Sequence, residues 1–155
     1  MKCAYKYCQH GGTVDKADAV KVGTRYFHPD CLRISKTMTK IIELYHEKVD
    51  PNPIEAYLRR TINDIVYKDG CDAEYLLFAL RYCLSHGWTL HTPSGLRYVA
   101  KDGVARKEWN KITAQKAVSE MKKKQSEQDA APVDLTEKSF SYIPQKAAGF
   151  EDILK

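Results

Sequence analysis

The sequence has no apolar run of about 18 residues, the length that a membrane-spanning helix requires. It also contains no nucleophile elbow, no glycine-rich phosphate-binding loop and no HExxH metalloprotease motif. Residues 1–6 lack the apolar segment of a signal peptide, and the odd number of cysteines, five, fits a reducing compartment better than secretion. We therefore expect a cytoplasmic protein that has no enzymatic activity and does not enter a membrane.

Glycine and proline are absent from residues 105–121, which are rich in good helix formers. This composition predicts a helix over that stretch. A β-hairpin with Asp102 and Gly103 as its turn is the alternative, and it would make the region similar to a winged helix. A buried apolar pattern is expected here for Leu96, Tyr98, Val99, Val104, Trp109 and Ile112.

Three thiols and one imidazole lie in two close pairs near the start of the chain. Cys3 and Cys8 form the first pair, and His28 and Cys31 form the second. Such pairs are typical of a closed tetrahedral zinc site, in which four protein ligands leave no position for a catalytic water. The pattern predicts one structural Zn²⁺, with His10 as a substitute ligand in the first pair. The alternative is that these are ordinary small buried side chains.

Between the two pairs, residues 19–27 contain two short β-prone runs broken by Gly23, which predicts a hairpin. Residues 26–31 read Tyr-Phe-His-Pro-Asp-Cys, and a helical pattern follows at once. This aromatic-His-x-x-Cys segment, placed after a hairpin and at the start of a helix, resembles that of LIM, poly(ADP-ribose) polymerase-type and related treble-clef fingers. The resemblance implies a structural zinc ion. The chain departs from the family pattern at the first pair, which is separated by four residues where the family has two.

Apolar residues at helical spacing predict helices over residues 30–48, 54–66 and 73–84. Pro51 and Pro53 end the first of these helices, and we expect Asn52 to cap the second helix and Asp72 to cap the third.

The predicted fold is mainly α, with a small N-terminal zinc-bound β-hairpin. A treble-clef-like finger would be followed by a helical domain and a flexible C-terminal tail. The expected divisions are residues 1–48 for the finger with its following helix, residues 49–122 for the helical domain and residues 123–155 for a mostly disordered tail.

Positive charge is concentrated in two parts of the chain. The formal net charge is +4 over residues 1–48, −2 over residues 49–94, +6 over residues 95–124 and −3 over the remainder. An uneven distribution of this kind favours contact with polyanions at specific places.

The basic block contains the candidate nucleic-acid-binding residues. Cationic side chains neutralise phosphates, and aromatic side chains such as Tyr98 and Trp109 can stack on unpaired bases. The candidates are Arg97, Lys101, Arg106, Lys107, Lys111 and Lys116. The alternative is an ordinary solvated face around a buried tyrosine and tryptophan.

The middle region has a second resemblance. A Tyr-Leu-Leu-Phe-Ala-Leu run at residues 75–80 is followed by Gly-Leu-Arg-Tyr at residues 95–98 and then by Trp109. This order is similar to that in the C-terminal helical modules of DnaD-type primosome proteins, with irregular spacing. The resemblance implies a small protein of phage type, acting in a bacterial host cell.

Two functions fit these observations. The first is a nucleic-acid-binding accessory protein, in phage replication or transcription, with DNA preferred to RNA as the partner. The second is an adaptor or inhibitor that binds a host protein through the finger, the helical face or the C-terminal peptide. In that peptide Phe150, Ile153 and Leu154 are the candidate contacts, because acidic, aromatic termini often fold against a partner. The alternative is that Phe150 and Leu154 dock on the core of the chain itself.

Overall fold

The structure is a computed structural model that describes the backbone of residues 1–129 and the side chains of residues 1–125. The predicted C-terminal contacts Phe150, Ile153 and Leu154, and most of the predicted tail, lie outside the described residues. Met1–Ala117 form one compact unit, and the described part of the second unit, residues 118–129, is helical. The divisions expected after residues 48 and 122 stay predictions.

The strands form a small antiparallel hairpin near the N-terminus. Strand β1 (Val20–Val22) pairs with β2 (Arg25–Phe27), so that Val20 lies opposite Phe27. Gly23 in the connecting turn has a φ of +60°, a conformation that residues with a Cβ rarely adopt. The predicted hairpin is confirmed.

Five α-helices follow the hairpin within the described residues. They are α1 (Pro29–Lys48), α2 (Glu55–Asn63), α3 (Ala73–Ser85), α4 (Leu96–Lys101) and α5 (Gly103–Asp129). A π-helical turn, Asp64–Lys68, extends α2, and a short 3₁₀ turn, Pro93–Gly95, precedes α4. The described chain is therefore mainly helical with one small hairpin, as predicted.

Two helix starts were predicted from capping residues, and one of these predictions is wrong. Asp72 caps α3, because its carboxylate accepts the backbone N–H of Glu74 at 2.9 Å. Asn52 does not cap α2, since its own N–H donates to the Asp50 carboxylate in a turn and the N-cap position falls to Ile54.

The alternative β-hairpin around Asp102 and Gly103 is excluded. Asp102 instead joins two helices, and its carboxylate accepts the N–H of Ala105 at 2.7 Å in the first turn of α5. Tyr98 and Val104 were expected to be buried, but they are 74% and 57% exposed. They lie off the helix faces that bury Leu96 and Val99 on α4 and Ala105 on α5.

The hydrophobic core lies among the helices. Its buried members from α1 to α3 include Ile41, Tyr45, Leu58, Ile62, Tyr75, Leu76 and Leu80, and α4 and α5 add Leu96, Val99 and Ala105. Residues 1–31, by contrast, bury few apolar side chains, namely Cys3, Val14 and Cys31. Every helix in the part of the chain that is described is too short or too polar to cross a lipid bilayer.

The hydroxyl of Tyr45 is buried and has no hydrogen-bond partner among the described residues. A buried hydroxyl without a partner costs about 1–3 kcal/mol. We therefore expect Tyr45→Phe to raise the free energy of unfolding by about 1 kcal/mol, measured by urea denaturation.

Tyr75→Phe is the matched control for this substitution. Tyr75 is equally buried, but its hydroxyl donates to the carbonyl of Asp102 at 3.3 Å, so its removal should not stabilise the protein. Equal effects of the two substitutions, or a loss of stability in Tyr45→Phe, would contradict the prediction.

Candidate metal centre

Four ligand-type side chains come together at the N-terminal end of α1. Cys3 pairs with Tyr26 of β2, and its backbone N–H donates to the carbonyl of Gly12 at 2.8 Å. His28 is the N-cap residue of α1 and Cys31 lies in the first turn. The hairpin thus brings the second ligand pair back to the first.

Cys8 reaches the same place through a turn, in which its backbone N–H donates to the carbonyl of Tyr5 at 3.2 Å. Gly11 and Gly12 both have positive φ and return the chain from Cys8 toward the pairing of Lys2 with Thr13. The wider spacing between Cys3 and Cys8 is therefore accommodated by a loop whose two ends, Lys2 and Thr13, pair with each other.

The separations within this cluster suit a tetrahedral metal site. The Sγ atoms of Cys8 and Cys31 lie 3.4 Å and 3.8 Å from Nδ1 of His28. All four ligand atoms, including Sγ of Cys3, lie within 4.8 Å of one another. Tetrahedral bonds of about 2.3 Å to sulfur and about 2.0–2.1 Å to nitrogen would separate sulfur from nitrogen by about 3.6 Å. The four predicted ligands therefore lie close enough to hold one metal ion.

The second ring nitrogen of His28 fixes the tautomer. Its Nε2 lies 2.9 Å from the backbone carbonyl of Thr13, which can only accept a hydrogen bond. A neutral imidazole would therefore carry its proton on Nε2, which leaves the lone pair of Nδ1 for a metal ion. An outer hydrogen bond of this kind is the usual support of a metal-binding histidine.

The sulfur atoms differ in their surroundings. Burial, followed by the neighbouring sulfurs of Cys8 and Cys3, raises the pKa of Cys31 to about 12. Burial also acts to raise the pKa of Cys8, but the backbone N–H groups of His10 and Gly12 donate to its sulfur and hold that pKa below the usual value. A divalent cation among the thiols would allow all of them to ionise together.

His10 lies beside the cluster and not within it. Its ring centroid is 4.6 Å from that of His28, and the side chain is exposed. The group of four close ligand atoms contains Cys3 and Cys8, the two residues for which His10 was the predicted substitute.

A cluster of three tyrosines joins the metal site to the helices. Tyr5 lies between the ligands of the first pair, and its hydroxyl is hydrogen-bonded to that of Tyr67 in the π-helical turn. The Tyr7 ring stacks on Tyr67 with centroids 4.8 Å apart, and its hydroxyl accepts from the amide of Asn63 at 3.1 Å. Sequence reasoning missed these contacts, because no local pattern relates residues about sixty positions apart.

The predicted nucleic-acid-binding residues lie on α4 and α5, and three of them are engaged within the protein. Arg97 pairs with Asp64 at 3.4 Å, and Lys111 pairs with Glu108 at 2.7 Å. The guanidinium of Arg106 lies 3.5 Å from the ring centroid of Tyr75, where it packs on a core residue.

The side chains of Lys101 and Lys107 are exposed and form no ion pair or hydrogen bond with the described residues. Lys116 is also exposed, but unlike Lys101 and Lys107 it interacts with another group of the protein. Trp109 packs against Phe78 with ring centroids 5.3 Å apart and is half-buried, so part of its ring contributes to the core.

Comparison with known proteins adds no family to these observations. No family model, no curated protein and no solved structure matches the chain. The described residues form a mainly helical fold with a small hairpin, and Cys3, Cys8, His28 and Cys31 form a cluster that could hold a metal ion.

Proposed function

We propose that the protein is a small nucleic-acid-binding protein whose N-terminal segment is held by one structural Zn²⁺ in a treble-clef-like finger. Three thiolates and one imidazole in tetrahedral reach are a ligand set that suits zinc. Because all four positions are filled by protein atoms, the ion would be structural and would have no open site for catalysis.

The arrangement of α4 and α5 carries the nucleic-acid part of the proposal. Lys101 ends α4 and Lys107 lies in the first turns of α5, and both are exposed and unpaired among the described residues. They belong to the block of residues 95–124, whose net charge is +6. Unpaired cations of this kind can neutralise phosphates and release the counterions of a nucleic acid.

A double substitution, Lys101→Gln with Lys107→Gln, tests this surface. We expect it to weaken binding to DNA and RNA. The slope of log K against the logarithm of the salt concentration should become less steep by about 1–2, because two fewer phosphates are neutralised. Fluorescence anisotropy with labelled strands and duplexes, between about 50 and 200 mM salt, measures both quantities.

The control is Lys36→Gln with Lys40→Gln, two exposed lysines on α1. This control variant loses the same amount of positive charge, but its slope of log K against log salt concentration should stay closer to that of the unaltered protein. Arg106 is a poor choice for this test, because its loss would also disturb the packing on Tyr75. Absence of binding by the unaltered protein at about 50 mM salt would refute the proposed function.

A further inference from the structure

Two adjoining cavities lie where the first ligand loop packs against α2. One has a volume of about 170 Å³ and the other about 380 Å³, and Tyr7, Arg59 and Asn63 line both. We call the two together the junction groove. The larger cavity is of the size that proteins use for small organic groups, about 300–1,000 Å³.

The junction groove has an aromatic wall. Tyr7 is 38% exposed and stacks on Tyr67 with an interplanar angle of 19°, so its ring is held in position by the ring behind it. The hydrogen bond from Asn63 fixes the hydroxyl end of the same ring. A tyrosine held in this way can stack on a planar group without first losing much conformational freedom.

The groove also carries a positive charge. Arg59, Arg60 and Lys68 line the larger cavity, and Asp64 is the acidic residue that lines it. Asp64 is already paired with Lys68 at 2.8 Å and with Arg97 at 3.4 Å, and the hydrogen bond from Lys68 helps to hold its pKa below the usual range. The guanidinium of Arg60 forms no hydrogen bond or ion pair with the described residues, although its charge contributes to the low pKa of Asp64. It is therefore available to an anion.

The pairing of Asp64 with Arg97 connects the groove to the basic surface of α4. Arg97 and the cations of the groove therefore lie on either side of Asp64, which is paired with both Arg97 and Lys68. Neighbouring phosphates joined to a flat, unpaired ring are the chemistry that matches both features, whereas the bases of a duplex are already stacked on one another.

We propose that the junction groove binds an unpaired nucleotide of a single-stranded nucleic acid, with its base on Tyr7 and its phosphates beside Arg60 and Lys68. This assignment rests on the nucleic-acid-binding function proposed above, and it adds a preference for single strands and a site for the base.

The test compares two probes, a labelled oligothymidylate and an abasic strand of the same length, which has the phosphates without the bases. We expect Tyr7→Ala to weaken binding of the oligothymidylate about tenfold and to leave binding of the abasic strand unchanged. Tyr7→Phe keeps the ring and should bind as the unaltered protein does. Tyr57→Ala removes an exposed tyrosine on α2 that lines neither cavity, and it is the control for loss of a surface ring.

Arg60→Gln tests the phosphate part of the site. It should weaken binding of both probes, whereas Arg81→Gln, at an exposed arginine of α3 that lines neither cavity, should weaken neither. Because Arg60 is exposed, this variant keeps the test valid even where Tyr7→Ala disturbs the fold.

The outcomes separate the two proposals. Binding of duplex without binding of oligothymidylate, or equal binding by the Tyr7→Ala and Arg60→Gln variants and their controls, would overturn the groove and leave the nucleic-acid-binding function standing. If polyglutamate displaced the labelled probe as effectively as unlabelled oligothymidylate does, the protein would recognise charge alone. That result would also overturn the groove. Failure to bind any strand or duplex would overturn both.

Discussion

Substitution of Cys31 by serine is expected to abolish metal binding and to unfold the N-terminal segment, while leaving the helical core folded. Cys31 supplies one of the four ligand atoms that lie within 4.8 Å of one another. A hydroxyl in place of this thiolate is a poor ligand for a soft site, so the metal should be lost.

We expect the N-terminal segment to unfold because few interactions other than metal binding stabilise it. Residues 1–31 bury few apolar side chains, and a piece of about 40 residues or fewer rarely folds without a disulfide, a metal or a partner. Structural zinc contributes on the order of 10–16 kcal/mol in isolated finger peptides. The core from Ile41 to Ala105 contains no ligand residue, which is why we expect its helices to persist.

Three measurements check this prediction. Metal analysis of the purified protein should give one zinc ion per chain and none in Cys31→Ser. Limited proteolysis should then cut within residues 1–28, and far-UV circular dichroism should retain most of its helical signal. The control is Cys71→Ser, a thiol outside the cluster, which should keep its metal. Metal-free protein that is stable and resists cleavage in this segment would refute the structural role of the ion.

Ile41→Ala should lower the free energy of unfolding by about 2–5 kcal/mol. Ile41 lies on α1, is fully buried and belongs to the cluster formed with α3. Its truncation removes apolar contacts and leaves a cavity that close-packed neighbours cannot fill. Urea denaturation followed by circular dichroism measures the change.

The matched control for this substitution is Ile54→Ala, the same chemical change at a residue that is 74% exposed. Its effect should stay within about 0.5 kcal/mol, because no buried contact is lost. A small effect at Ile41, comparable with that at Ile54, would show that the helices are not packed as described.

Much of the candidate metal site was predictable because its determinants are local. Each ligand pair lies within one turn of chain, and the hairpin between the pairs is marked by Gly23 and two short β-prone runs. The helices were predictable for a similar reason, since the spacing of apolar residues reflects the helical repeat. The capping prediction for Asn52 was wrong because its N–H donates to the Asp50 carboxylate in a local turn, and α2 begins later, with Ile54 at the N-cap position.

The candidate binding surface was less predictable. Six basic residues between positions 97 and 116 look equivalent in the sequence, but packing gives them different roles. Arg106 lies on the ring of Tyr75 and Arg97 pairs with Asp64, while Lys101 and Lys107 remain unpaired among the described residues. Which cations remain available depends on which acids and rings lie next to them, and this is a property of the folded chain.

The sequence by itself determined the four candidate ligands and the mainly helical character of the described chain, because both depend on spacing over a few residues. Only the tertiary structure placed Cys3 and Cys8 in the cluster and His10 beside it. The tertiary structure decided that Tyr5 and Tyr7 meet Tyr67, that Arg60 and Lys68 line the same groove, and that Trp109 contributes to the core. The physical reason is that side-chain contacts between distant segments are set by how the helices pack, and helix packing depends on many side chains at once.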